Sequence, residues 1–163
     1  MSVSIKVREM LSQDARMFLE VHNAAVRGIA AKDYPPEVVE DWAQMPVTEE
    51  GVERFLANPD GEIRLVAEID GVIVGIGCLV VANCELRACY VAPAAARKGV
   101  GTALVREIEH IARDRGLTYL QMDSSVTAEP FYLHHGYTVR QRSEHILWSG
   151  RSMACVRMEK RLK

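Results

Sequence analysis

Tyr90-Val91-Ala92-Pro93-Ala94-Ala95-Ala96-Arg97-Lys98-Gly99-Val100-Gly101-Thr102 is the stretch on which the fold turns. A strand ends near Val91, a proline-bearing turn follows, and glycines at 99 and 101 open a helix. That helix carries Val100, Leu104, Ile108, Ile111 and Ala112 on one stripe and stops at Gly116. Glycines at a strand-to-helix passage let the backbone approach a ligand with no β-carbon in the way. The unpaired N–H groups of the first helical turn then point at that ligand, and the helix dipole favours a negative charge there. Arg97 and Lys98 add positive charge at the same place. A phosphate or pyrophosphate is the natural occupant.

Two general phosphate-binding designs fit this stretch poorly. A P-loop needs Lys-Ser or Lys-Thr after a glycine, and neither occurs here. The G-x-G-x-x-G dinucleotide fingerprint needs a small residue where Leu104 stands. Asp123, at the end of the next strand, keeps that second design open as a ribose-binding acid. The chain before the loop argues against it. Glu62 to Ile69 alternates, Asp70-Gly71 is a two-residue hairpin turn, and Val72 to Ala82 returns as a nearly all-apolar strand. A turn at Asn83 leads into Cys84–Val91, which completes an antiparallel meander foreign to a doubly wound sheet.

The remaining elements follow from periodicity and breakers. Val3, Ile5 and Val7 alternate with polar residues as an opening strand. Ser12 is the expected cap of a helix through Phe18, Leu19, His22, Val26 and Ile29. The Tyr34-Pro35-Pro36 break starts a second helix with Val38, Val39 and Trp42, and Thr48 opens a short one through Val52 and Phe55. Beyond the glycine loop come a strand over Leu117–Asp123, a helix over Glu129–His135, and strands about Tyr137–Ser143 and Met153–Leu162. The order is β-α-α-β-β-β-α-β-α-β-β. It predicts an α+β (mixed α/β) domain over residues 1–163, with a mostly antiparallel sheet flanked by helices and one parallel pair around the helix after Gly99.

Composition narrows the function classes. Lys and Arg number 20 against 22 Asp and Glu, a net charge of −2. That balance offers no general attraction to nucleic acid or acidic membranes, so any anion site must be local. The four cysteines (Cys78, Cys84, Cys89, Cys155) lack C-x-x-C spacing and read as reduced, which favours the cytoplasm. No signal-peptide core or membrane-length apolar run is apparent, and no His, Asp and Glu cluster has metal-ligand spacing.

The glycine loop resembles motif A of the GCN5-related N-acetyltransferases, (Q/R)-x-x-G-x-(G/A), preceded by a strand ending Y-V-x-P. Tyr90-Val91-Ala92-Pro93 and Gly99-Val100-Gly101 match it, and Ala96 stands where the family usually has Gln or Arg. A second stretch, Ala128-Glu129-Pro130-Phe131-Tyr132-Leu133-His134-His135-Gly136-Tyr137, resembles the family's A-x-x-F-Y-x-x-x-G-(F/Y) segment. The two fall in order, at the family's usual separation.

The resemblance implies acetyl transfer from acetyl-CoA to a primary amine of a small molecule or peptide, by direct aminolysis, with no metal. It implies a parallel strand pair that splays to hold the cofactor. Cys89 and Val91 would pair with the pantetheine arm, and a backbone N–H near Tyr90 or Val91 would stabilise the oxyanion. Arg97, Lys98, Gly99, Val100, Gly101 and Thr102 would hold the pyrophosphate. A bulky residue at Gly101 is expected to abolish binding and leave the fold largely intact.

Tyr132 is the expected acid for the departing thiolate, and Phe131, about 100° away on the helix, is assigned to the core. Glu85 is a candidate base, or else a strand carboxylate paired with Arg87. Ser125 and Thr127 are candidate cofactor contacts or turn caps. Tyr34 and Trp42 are candidate acceptor-pocket walls, while His22 reads as packed on its helix. Glu144 and His145, in the loop before the last strand, are candidates to reach the acceptor mouth or else solvated loop residues. An acyl-CoA-binding sensor on the same fold is the alternative to an enzyme. A homodimer through a late edge strand is compatible with the pattern.

Overall fold

The computed structural model describes residues 3–163. Seven strands form one sheet in the order β1-β2-β3-β4-β5-β7-β6. They are β1 (Ile5–Glu9), β2 (Ile63–Ile69), β3 (Val72–Val80), β4 (Glu85–Val91), β5 (Tyr119–Ser125), β6 (Thr138–Ile146) and β7 (Ser152–Arg161). Every neighbouring pair is antiparallel except β4 and β5, which run parallel. Among the described residues five α-helices complete the fold: α1 (Ala15–Gly28), α2 (Pro36–Trp42), α3 (Glu49–Ala57), α4 (Val100–Asp114) and α5 (Glu129–His134). The expected mixed, mostly antiparallel architecture is what the chain adopts.

Local chemistry explains the element boundaries. Asp70 and Gly71 take φ of 51° and 77°, the left-handed pair that a tight two-residue hairpin requires between β2 and β3. Thr48 Oγ1 accepts the Gly51 N–H at 3.0 Å, which caps α3. α3 is thus a full helix, one more than the sequence-derived order counts. Ser12 does not cap α1. A 3₁₀ turn over Ser12–Asp14 precedes the helix, and the Asp14 carboxylate takes the Leu11 N–H and the Arg8 guanidinium, both at 2.8 Å.

The sheet is covered on both faces. On one, α4 buries Val100, Leu104, Val105, Ile108 and Ala112 against Leu65, Leu79, Leu86, Leu120 and Met158. Each buried Leu or Ile there is worth about 1.5–3 kcal/mol relative to exposure. On the other, α1 sets Phe18 and Val21 on Val66 and Ile76. α2 packs Val38 and Val39 with Val26, Leu147 and Met153. The parallel pair lies at the centre of this arrangement, with helices above and below it. Among the described residues no helix is long and apolar enough to cross a membrane.

Candidate active site

β4 is irregular where it matters. Its register against β3 shifts so that Ala88 faces Cys78 while Leu86 faces Leu79, leaving Arg87 as the extra residue of a bulge. The bulge resets the side-chain alternation. Leu86, Cys89 and Val91 therefore all pack toward α4, whereas Tyr90 turns toward α1 and α2.

β4 and β5 share a single registered pair, Glu85 with Gln121, reinforced by the Gln121 N–H on the Cys84 carbonyl at 2.8 Å. Beyond it the strands part toward their C-terminal ends. The gap is a cleft of about 230 Å³ walled by Cys89, Tyr90 and Val91 on one side and Met122–Ser125 on the other. Gly101, Phe131 and Tyr132 close one end, and Trp42 lies at the α2 side.

The start of α4 borders the same cleft. Gly99 is its N-cap at φ +87°, and Arg97 is also left-handed at φ +62°. Ala103 N–H to Gly99 carbonyl, at 3.0 Å, is the first bond of the helix. The N–H groups of Val100, Gly101 and Thr102 have no partner in the helix and remain available to an anion. Arg97 and Lys98 are exposed beside them. The Thr102 hydroxyl also lies 3.1 Å from His135 Nε2.

Gly101 does more than bare the backbone. A β-carbon there would stand 3.1 Å from two carbons of the Phe131 ring. A bulky residue at this position would press on Phe131, so a cost in stability is expected beside the loss of binding. Phe131 also shares the cleft wall with Tyr132 instead of being confined to the core. The cleft spans from α4 to β5, which is wide enough to take in both rings, and they meet edge to face at 5.1 Å.

Tyr132 is 5% exposed and makes no side-chain hydrogen bond among the described residues. Burial is the chief cause that pushes its phenol well above the ordinary tyrosine value, so it stays protonated. Burial likewise raises Cys89 to about 12, which keeps its thiol neutral. Two hydroxyls on the β5 side behave differently. Ser125 Oγ accepts the Ala128 N–H at 3.1 Å and serves the turn before α5. Thr127 Oγ1 is buried without a partner among the described residues, a group whose hydrogen bond is left for a ligand in the cleft.

The structure sets two expected site residues apart from this cleft. Glu85 sits at the closed end of the strand pair, 3.0 Å from Arg87, which also holds Asp60 and Glu62. Glu85 is not among the cleft's lining residues. Tyr34 is not a pocket wall either. Its hydroxyl donates to the Ala154 carbonyl at 2.6 Å and accepts the Val126 N–H at 2.8 Å, tying the start of α2 to β7 and to the end of β5. Trp42 lines both the cleft and a second cavity.

That second cavity, about 550 Å³, lies between α1, α2, α3 and the β6–β7 hairpin. Leu19, His22, Phe55, His145 and Trp148 contribute to its walls. Asp41 of α2 anchors the hairpin tip, accepting from Arg151 Nε at 2.7 Å and Ser149 Oγ at 2.8 Å. A third, smaller cavity shares His22, Met45 and Phe55 with it and reaches β4 at Arg87, Ala88 and Tyr90. The two form a groove that meets the cleft across the bulged strand. Sequence reasoning placed His22 among packed residues, and only its position beneath Tyr90 shows it to be part of this groove. Among the described residues no group of three or more His, Cys, Asp or Glu is placed to hold a metal ion.

A splayed parallel pair beside a glycine-started helix defines an acyl-CoA-dependent transferase architecture, and comparison with known proteins agrees. The chain belongs to the acetyltransferase (GNAT) family, whose model matches residues 23–137. It is similar to a GCN5-related N-acetyltransferase from Rhodopseudomonas palustris, with a TM-score of 0.89, 30% identity and 99% of each chain covered. It has the fold of the PaiA N-acetyltransferase of Thermoplasma acidophilum, solved with coenzyme A, at a TM-score of 0.77 and 23% identity over 97% of this chain and 99% of that one. Spermidine N(1)-acetyltransferase of Thermoplasma acidophilum is 25% identical over 146 residues, 84% of this chain and 90% of its own. Aminoglycoside N(6')-acetyltransferase type 1 of Klebsiella aerogenes is 41% identical over 69 residues, which span 42% of this chain and only 45% of that enzyme. The chain is accordingly an acetyl-CoA-dependent N-acetyltransferase by family.

Proposed function

We propose that the protein transfers the acetyl group of acetyl-CoA to a primary amine of a small molecule or peptide, by direct attack of the amine on the thioester. The observation that carries this reading is the β4–β5 splay, with its single registered pair and the protonated, unpaired Tyr132 phenol on its wall. The free N–H groups of Val100, Gly101 and Thr102, with Arg97 and Lys98, hold the pyrophosphate. Cys89 and Val91 offer backbone to the pantetheine arm, and Thr127 Oγ1 gains the partner it lacks. A backbone N–H at Tyr90 or Val91 faces the developing oxyanion. Tyr132 gives its proton to the leaving sulfur, a transfer from a phenol to the anion of a thiol of pKa about 8.5.

The amine enters through the groove on the α1 side. Its lining carboxylates are already matched, Asp41 by Arg151 and Asp60 and Glu62 by Arg87. An acceptor with one positive charge and an apolar body suits such walls better than a polycation. The test is an amine panel that reads released CoA thiol, paired with calorimetric titration of acetyl-CoA. Saturable acetyl-CoA binding and thiol release that depends on an amine are expected. Binding without release on any amine rejects the proposal in favour of an acyl-CoA sensor.

A further inference from the structure

The groove holds a nitrogen base whose tautomer is fixed by the backbone. His22, on α1, is 8% exposed, and its ring meets the Tyr90 ring edge-on at 4.8 Å. His22 Nδ1 lies 3.0 Å from Asn23 Oδ1. Asn23 is held in turn by Met45, with Nδ2 donating to the Met45 carbonyl at 3.0 Å and Oδ1 accepting the Met45 N–H at 3.2 Å. Turning the amide over would oppose two donors at one end and two acceptors at the other, so Met45 fixes the Asn23 oxygen on the His22 side. An amide oxygen only accepts, and His22 Nδ1 therefore carries the proton. The lone pair falls on Nε2, which has no hydrogen-bond partner among the described residues.

We propose that His22 Nε2 is the base that takes the proton from the acceptor nitrogen. The proposal rests on the acetyltransfer reading above and adds the group that reading lacks. The acceptor ammonium first loses one proton to water. As the neutral nitrogen bonds to the thioester carbon, a second N–H proton passes to Nε2. The C–S bond then breaks with its electron pair on sulfur, which takes the Tyr132 proton. The imidazolium releases its proton to water and the tyrosinate recovers one, so both groups are reset. Glu85, at the closed end of the strand pair and 3.0 Å from Arg87, lines neither the cleft nor the groove that admits the amine.

Burial, the larger cause, holds His22 below its ordinary value, with the Asn23 hydrogen bond opposing it. The ring is therefore neutral and competent at pH 7. The charged groups sharing its cavities are Arg54, Arg64, Arg87, Asp41, Asp60 and Glu62, and each of those carboxylates is paired with an arginine. Tyr90, Cys78 and His145 are the other titratable neighbours, from β4, β3 and β6.

The experiment is steady-state kinetics from pH 5 to 9 on an amine identified by the panel, with the wild type, His22→Gln and His22→Phe. Phe refills the ring space beside Tyr90 without a base. Expected are a wild-type kcat that falls on the acid side with an inflection below about 6.5, and a kcat loss of roughly 10²–10⁴ in both variants. The acid limb should vanish in the variants while acetyl-CoA affinity holds. Variants within threefold of wild type with the acid limb intact overturn the proposal. A wild type with no acid limb overturns it whether or not the variants fold. A wild type that binds CoA but acetylates no amine overturns the acetyltransfer reading together with it, whereas turnover unaffected by His22 removes the base alone.

Discussion

Gly101 and Phe131 are closely fitted: a β-carbon on the glycine would stand 3.1 Å from the ring, which must yield a few tenths of an ångström to admit it. The contact joins the helix turn that offers N–H groups to the pyrophosphate to the helix that carries Tyr132. The first prediction is that Gly101→Leu loses acetyl-CoA affinity and thermal stability together, overpacking of this kind costing about 1–3 kcal/mol. Arg97→Glu with Lys98→Glu, on exposed side chains, should lower affinity alone. Calorimetry beside thermal unfolding separates the two, and an unchanged Tm for Gly101→Leu would refute the contact's importance.

Tyr132→Phe removes one oxygen from a buried ring that packs edge-on against Phe131 and Tyr137. Turnover should fall roughly 10²–10⁴, the scale of one general acid, with acetyl-CoA affinity nearly unchanged. Burial raises the phenol, so it is fully present as a donor below pH 10 and is lost only well above it. A wild-type kcat should therefore show no alkaline fall from this group up to pH 10. Equal losses of binding and turnover in the variant would mark Tyr132 as packing.

The glycine loop and the Phe131-Tyr132 segment were legible in the sequence because their function resides in backbone access and fixed spacing, both local properties. The meander was legible for the same reason, since Asp70-Gly71 dictates its turn within two residues. What escaped were relationships across the sheet. Tyr34 looks like any aromatic after a helix until its hydroxyl is seen bridging Ala154 and Val126, more than 90 positions away. The bulge at Arg87 follows from pairing with β3 and leaves no mark in the strand's own pattern, yet it decides that Tyr90 and not Cys89 faces His22. His22 itself sits on an apolar helical stripe, where sequence alone favours packing.

Glu85→Gln should leave the pH–rate profile and kcat within about threefold of wild type. The carboxylate is held by Arg87 at 3.0 Å, and among the described residues Glu85 itself forms the one registered pair of the parallel strands, with Gln121. An exposed or half-exposed pair of this kind contributes on the order of 0–1 kcal/mol, so stability should change little as well. Kinetics across pH 6 to 9 provide the check. A large fall at neutral pH that recovers as the free amine increases would return Glu85 to the role of base.

Asp41 sets the charge at the acceptor mouth, and Arg151 cancels it. The guanidinium and the Ser149 hydroxyl hold one carboxylate oxygen at 2.7 and 2.8 Å, and together they lower the Asp41 carboxyl below its usual range. Trp148, 93% exposed on the same hairpin, extends the apolar wall beyond that anchor. Arg151→Ala therefore leaves the Asp41 charge unneutralised, with the Ser149 hydroxyl still on it, and loosens the hairpin tip. A unit charge about 4 Å from an ammonium in water is worth about 1 kcal/mol, or roughly a fivefold preference. The variant's kcat/KM for spermidine relative to 2-phenylethylamine should rise by about that factor, with the KM for the monoamine also rising. Acetyl-CoA affinity should not move, because the phosphate cradle lies at the start of α4. Competition assays with both amines at low salt give the ratio directly, and raising the salt should shrink the shift. A ratio that does not change shows that Asp41 never meets the acceptor.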